Sequence, residues 1–447
     1  MKKNIVHRFF LVIAICFGVF PIQAQVINDT TAPAVQKRIL QVEFDDYFFP
    51  NTLRVDYYIA GDYKTESVYL NQVKQEPYWS GPRKHLIDPY NYGTYRIAVF
   101  DSVSGRLLFS KGFSNLFQEW KGTPEARRVQ RSFEQTAIVP FPRQTIRFQV
   151  EKRKYSDGKF EKLFQMYINP NDYFISRKKI HEIPFVKFRN SGEPENKVDI
   201  AFIAEGYTKD QMDKFLKDAN RIGDYFLSQE PYSEYKDRFN FYAIESASEE
   251  SGVDVPGRRI YVNTDIGSSF YTFDMDRYLT SANTKEVYDI AANVPYDVIF
   301  ILVNSKIYGG GGFYNHFGES TVDNFFSEIV SIHEFGHTFA GLADEYYTSE
   351  VTYSDFYNTK VEPWEPNITT NVDFASKWKD LVKKGTPVPT SREEKHQNDV
   401  GMYEGGGYVA KGVYSPMMDC RMKSNEAPGF CPVCQSAIIR MIKFYSE

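Results

Sequence analysis

Three things are scarce in this 447-residue sequence: basic runs, cysteine and long apolar stretches. There is no extended tract of Lys and Arg and the formal net charge is -5, which argues against a nucleic-acid partner. Beyond residue 24 no segment is apolar enough to cross a bilayer, so no transmembrane segment is expected in the mature chain. No repeat of fixed period and no low-complexity tract stands out. What remains is ordinary globular composition, 42% hydrophobic and 25% charged, with length for two or three domains. Aromatics are plentiful, with 32 Tyr and 37 Phe. Their simplest place is in β-strands, which favour them; a sugar-stacking surface is the alternative.

One apolar run does occur, at the start. Met1-Lys2-Lys3-Asn4 is positively charged, Phe9 to Phe20 has signal-peptide length, and Ile22-Gln23-Ala24 offers a small-residue cleavage site. The pattern predicts export, with cleavage after Ala24 and a mature chain that is secreted, periplasmic or held at the cell surface. Cys16 would leave with the leader, and Cys420, Cys431 and Cys434 would remain near the C-terminus. In an oxidising compartment one disulfide is expected among these three, with one thiol left over. The Cys431-Pro432-Val433-Cys434 knuckle is also a candidate structural zinc site, although no fourth ligand is evident.

Residues 25–175 read as an all-β sandwich. Segments such as Ile39–Phe44, Thr52–Ile59, Tyr95–Phe100, Thr145–Val150 and Phe160–Ile168 are rich in branched and aromatic residues. Turn signals such as Ser102-Val103-Ser104-Gly105 separate them, and the sandwich follows from several short strands spaced this way. No catalytic constellation is visible in this half. A polar stretch over 176–195, ending in Asn190-Ser191-Gly192-Glu193-Pro194, reads as a linker. From 196 to 447 the pattern changes to strands alternating with helices, which predicts a mixed sheet with helical cover. Val198–Ala204, Phe239–Ile244 and Asp297–Val303 are the strands. Thr208 and Gln211 form a capping box before a helix carrying Met212, Phe215, Ala219, Ile222 and Phe226.

The chemistry concentrates at His333-Glu334-Phe335-Gly336-His337, near the end of a helical pattern that runs from about Thr321. Residues four apart share a helix face, so both imidazoles can reach one metal ion. Glu334 is placed to take a proton from an attacking water. Imidazole and carboxylate ligands suit catalytic zinc. With only seven His in the chain, a chance match of this kind is uncommon. Gly341 is positioned to end the helix in a left-handed conformation. Asp344 and Glu345 follow, either able to supply a third ligand; Glu350, Glu362, Glu365 and His316 are weaker candidates. Tyr308-Gly309-Gly310-Gly311-Gly312-Phe313, ahead of this helix, is either an edge to which an extended peptide can add or a flexible loop.

His333-Glu-Phe-Gly-His337-Thr-Phe-Ala-Gly341-Leu-Ala-Asp344-Glu-Tyr346 resembles the signature of the IgA peptidase family, secreted bacterial zinc endopeptidases related to metzincins. The likeness extends through Ile203-Ala-Glu-Gly-Tyr-Thr208, Ser248-Glu-Glu-Ser-Gly-Val-Asp254 and Val303-Asn-Ser-Lys-Ile-Tyr-Gly-Gly310, covering most of the chain from about 195. The preceding sandwich is similar to the domain that stands before the peptidase in that family. The resemblance implies a metzincin-like fold with His333 and His337 as zinc ligands and Glu334 as catalytic base. Metzincins more commonly carry HExxHxxGxxH; here the glycine lies further on and an acid occupies the third ligand position. The spacing from Gly341 to Asp344 keeps the Gly-x-x-ligand interval and favours Asp344 over Glu345. The resemblance also implies a methionine beneath the metal, Met422 or Met418; Tyr346 and Tyr414 are candidates to hold the developing oxyanion.

These readings converge on an exported zinc endopeptidase acting on extracellular protein or glycoprotein, with Zn2+ as cofactor. Two other classes compete: a glycan- or protein-binding surface protein whose peptidase domain is silent, and a zinc amidase or deacylase.

Overall fold

The computed structural model describes residues 42–347 and 356–447. The predicted leader and Glu350 lie outside the described residues. Val42–Glu447 forms one compact unit of mixed α/β character.

In the first half, β1 (Phe48–Gly61), β2 (Glu66–Glu76), β3 (Tyr95–Asp101), β4 (Leu107–Phe113), β5 (Arg131–Pro142), β6 (Ile146–Arg153), β7 (Phe160–Ile168) and β8 (Ile175–Ser176) make two four-stranded sheets, ordered β5-β1-β2-β8 and β4-β3-β6-β7. Both sheets feed one core, in which Leu53, Val55, Val99, Val139, Phe148 and Val150 are fully buried. Alternate side chains of a strand face opposite ways, so each sheet turns one apolar face inward. The strand expected over Ile39–Phe44 is absent from its described part, because Phe44 begins a short helix, Phe44–Tyr47. The stretch read as a linker holds β9 (Phe185–Arg189), an antiparallel edge strand of the next sheet.

That next sheet adds β10 (Val198–Glu205), β11 (Phe239–Ile244), β12 (Val298–Val303), β13 (Gly310–Gly312) and β14 (Phe317–Thr321), in the order β13-β14-β12-β10-β11-β9. The four central strands are parallel and the two edges antiparallel. Every residue of β10 and β12 is buried, the pattern of strands covered on both faces. Ile200 and Phe202 point into one core with α1 (Met212–Ser228), α3 (Ser327–Ala340) and α4 (Pro432–Ser446); Ala201 and Ile203 point into another with α2 (Thr284–Ala291). Among the described residues no helix is long and apolar enough to cross a membrane.

The two halves interlock. Arg54, fully buried in β1, pairs with Asp56 at 2.7 Å and Glu76 at 3.1 Å, and crosses to Asp289 of α2 at 2.6 Å. Near the motif helix, Ser114 N–H donates to Tyr314 O and Asn315 Nδ2 donates to Gly112 O, at 2.9 and 2.8 Å. These contacts fix the first half against the cleft described next.

Candidate metal centre

The helix carrying the motif starts at Ser327, later than the expected Thr321. Thr321 instead closes β14, because Phe317–Thr321 pair residue for residue with Ile299–Val303. Phe325, within the stretch read as helix, is 88% exposed in the intervening turn. From Ser327 onward the helix is anchored by Phe335, which packs on Phe226 and Phe339 with ring centroids 4.8 and 5.3 Å away. Its opposite face presents His333, Glu334 and His337 to an open cleft.

Gly341 ends the helix with φ +62°, a left-handed conformation that glycine adopts without strain. The reversal aims the Leu342 carbonyl at His337 Nδ1, 2.6 Å away, and swings Asp344 back across the histidines. His333 Nδ1 meets Arg421 O at 2.9 Å. A carbonyl only accepts, so both Nδ1 atoms carry the proton, and in a neutral ring Nε2 is left with its lone pair. The two Nε2 atoms stand 3.2 Å apart, and Asp344 Oδ1 lies 3.0 Å from His333 Nε2 and 3.4 Å from His337 Nε2.

Three electron-pair donors thus converge on one point, and positive charge must sit among them. A proton on an imidazole is one solution: burial disfavours charge on His337, but the Asp344 carboxylate raises its pKa to about 9. Burial alone would raise Asp344; positive charge on His337 beside it holds it far below the usual carboxylate range. A metal cation is the other solution. Ligands about 2.0–2.1 Å from a tetrahedral zinc stand about 3.3–3.4 Å from each other, close to the three separations found. The donor set therefore fits zinc.

The surroundings hold these groups in place. Asn367 clamps the ligand segment, accepting from Ala343 N–H at 2.7 Å and donating to Ala343 O at 2.8 Å. Tyr408 donates from its phenol to Asp344 Oδ2 and packs edge-on against Tyr346. Met422 is fully buried beneath the helix; a Cβ on Gly336 would come within 2.9 Å of its sulfur, so a glycine there lets the thioether approach. Met418 is only half-buried, and its carbonyl accepts from Lys423.

The glycine run has a structural cause. Gly310–Gly312 forms β13, where a Cβ on Gly310 would meet Glu334 Cγ at 2.8 Å and one on Gly312 would meet Glu334 O at 2.5 Å. Only glycine lets this edge lie flat on the motif helix. Leu279 N–H already donates to Gly310 O at 3.3 Å, so part of the outer edge is paired. Glu334 lies between this edge and the histidines, and burial raises its pKa against the pull of both rings.

The other candidates fall elsewhere. Glu345 turns away from the histidines into a buried cysteine cluster. Glu365 lines the cleft but accepts from the Tyr357 phenol at 2.9 Å, and Glu362 accepts from Asp373 N–H. His316 is buried against Tyr288 and carries no charge at neutral pH, since burial lowers its pKa to about 3. Tyr346 lines the cleft; Tyr414 instead bonds through its backbone to Thr369. The expected disulfide is not present, because Cys420, Cys431 and Cys434 are all free.

Sequence reasoning missed three groups here. Tyr408 and Asn367 have no motif to mark them. Glu119 comes from the first half, lines the cleft and accepts from Tyr278; burial lifts its pKa to about 7.

A family model described as IgA Peptidase M64 matches residues 186–395 and 391–442, more than half of the chain. A second, described as Peptidase M64 N-terminus, matches residues 43–165. No curated protein matches the chain.

Proposed function

Since the chain belongs to the IgA Peptidase M64 family, a family of metallopeptidases, we propose that it is an exported zinc endopeptidase, a β-sandwich followed by a metzincin-like catalytic domain. The observation that carries this reading is the convergence of His333 Nε2, His337 Nε2 and Asp344 Oδ1 within 3.0–3.4 Å, beside Glu334 in an open cleft. These three residues would hold the ion. Bound zinc supplies Lewis-acid polarisation of a carbonyl and a water acidic enough to act near neutral pH.

The chain's own groups do the rest. Glu334 takes the proton of the attacking water and passes it to the leaving amine, a role suited to a carboxylate whose pKa burial has raised. The backbone carbonyls of Arg421 and Leu342 hold both imidazoles in the tautomer that frees Nε2. The Tyr346 phenol keeps its proton, because burial pushes its pKa well above 10, and is available as a donor to an oxyanion. Protein or glycoprotein outside the cell is the substrate class, entering between β13 and the Tyr346–Tyr408 wall.

Glu334→Gln tests the reading. The variant should keep its metal, measured by mass spectrometry, and lose cleavage of casein and of IgA by roughly 10²–10⁴-fold. Full activity in this variant would refute the mechanism.

A further inference from the structure

Asp344 and Glu345 are adjacent in sequence but serve different pockets. Glu345 enters a closed chamber with Cys420, Cys431 and Cys434, all four residues buried and their ligand atoms within 4.8 Å of one another. The Cys420 and Cys434 sulfurs are 3.7 Å apart and Cys434 Sγ is 3.2 Å from Glu345 Oε1. Glu345 Oε2 has no hydrogen-bond partner although it is buried. An unpartnered buried carboxylate oxygen is costly, and three thiols give it little relief.

The geometry points to a second zinc ion, structural in role, bound by Glu345, Cys420, Cys431 and Cys434. A sulfur separation of 3.7 Å is far beyond the roughly 2.05 Å of a disulfide bond. It is close to the separation of about 3.8 Å between two thiolates at about 2.3 Å from a tetrahedral zinc. Three sulfurs and one carboxylate complete a tetrahedron, whereas any disulfide would strand one thiol beside Glu345. The local backbone favours thiolates. Cys431 caps α4, Pro432 opens it and Cys434 sits in its first turn, where the helix dipole stabilises negative charge. Cys431 N–H also donates to Cys420 Sγ at 3.3 Å. Soft sulfur ligands select zinc over calcium or magnesium.

This ion would brace the cleft from behind. Glu345 is one residue from Asp344, and its N–H donates to Met422 O at 2.8 Å. Cys420 is one residue from Arg421, whose carbonyl orients His333. The second site thus ties together Asp344, the His333 carbonyl partner and Met422.

The test counts metal in the full chain, purified without chelator. Wild type should hold two zinc ions, and His333→Ala/His337→Ala should keep one. Cys434→Ser should also drop to one and keep the ion at the histidines. Should Cys434→Ser fail to fold, the double-histidine variant reconstituted with Co2+ should show thiolate-to-cobalt charge-transfer absorption. Thiol titration of denatured, chelated wild type should then find every cysteine of the chain as a free thiol. A double-histidine variant with no metal, or a disulfide between any two of these cysteines in peptide maps, would overturn the proposal. Because the two sites use different residues, one zinc in wild type that survives the double-histidine change would leave the cysteine site standing and refute the triad.

Discussion

The two clusters on either side of the Asp344–Glu345 peptide draw on similar chemistry and differ in access. At the triad, His333 and His337 keep 16% and 15% of their side chains exposed and face an open cleft. At the cysteine cluster every ligand is buried. Three ligands with an open side leave room for water and substrate, as catalytic zinc requires; four ligands in a closed chamber leave room for neither. One backbone segment serves both, its successive side chains entering different pockets. On the proposed reading, catalytic and structural demands are thereby met within two residues.

That contrast can be broken most severely at Asp344. Asp344→Ala should remove the triad's metal and lower proteolysis at least ~10³-fold, while the cysteine site keeps its zinc. Zinc content and casein cleavage together read this out, and retained activity would mean that another group is the third ligand. The reciprocal change, Cys434→Ser, should act on stability first. Binding free energy at a structural site is folding free energy, so a loss of roughly 5 kcal/mol or more is expected in urea unfolding. Cleavage at low temperature should survive. Tyr408→Phe is a milder intervention. It deletes the donor to Asp344 Oδ2 and should cost about 10–100-fold in metal affinity or activity.

A histidine outside both clusters sharpens the comparison with the smallest effect. The pKa of His316 falls from 6.5 to about 3 because burial penalises its charge. Between these values the unfolded chain binds a proton that the folded chain does not, so stability rises with pH across the window and is lost on acidification. Its share should be about 1 kcal/mol between pH 6.5 and 5.5. His316→Asn should flatten that part of the urea midpoint profile; an unchanged slope would mean that His316 titrates normally.

How much was legible beforehand differs by feature. The runs Val198–Ala204 and Asp297–Val303 were readable as strands from their apolar residues, and the structure adds that they run parallel with both faces covered. The boundary near Thr321 was misread because Val322, Phe325 and Phe326 continue the apolar spacing of Ile329 and Val330, whereas Thr321 pairs with Val303 and closes β14. The glycine run offered two readings; pairing with β14 keeps it extended, and the closeness of Glu334 to Gly310 requires glycine there. The cysteines suggested a disulfide because their fourth companion lies 75 residues upstream of Cys420, beyond any local spacing rule.

By itself, the sequence determined that His333 and His337 share a helix face, that Glu334 lies between them, and that Gly341 reverses the chain. Helix periodicity and glycine's left-handed freedom act over a few residues, so their consequences are readable locally. Tertiary structure decided which acid meets the histidines, which meets the cysteines, and that Glu119 of the first half lines the same cleft. Those outcomes depend on how sheets and helices far apart in sequence pack around one segment, and no local pattern carries that information.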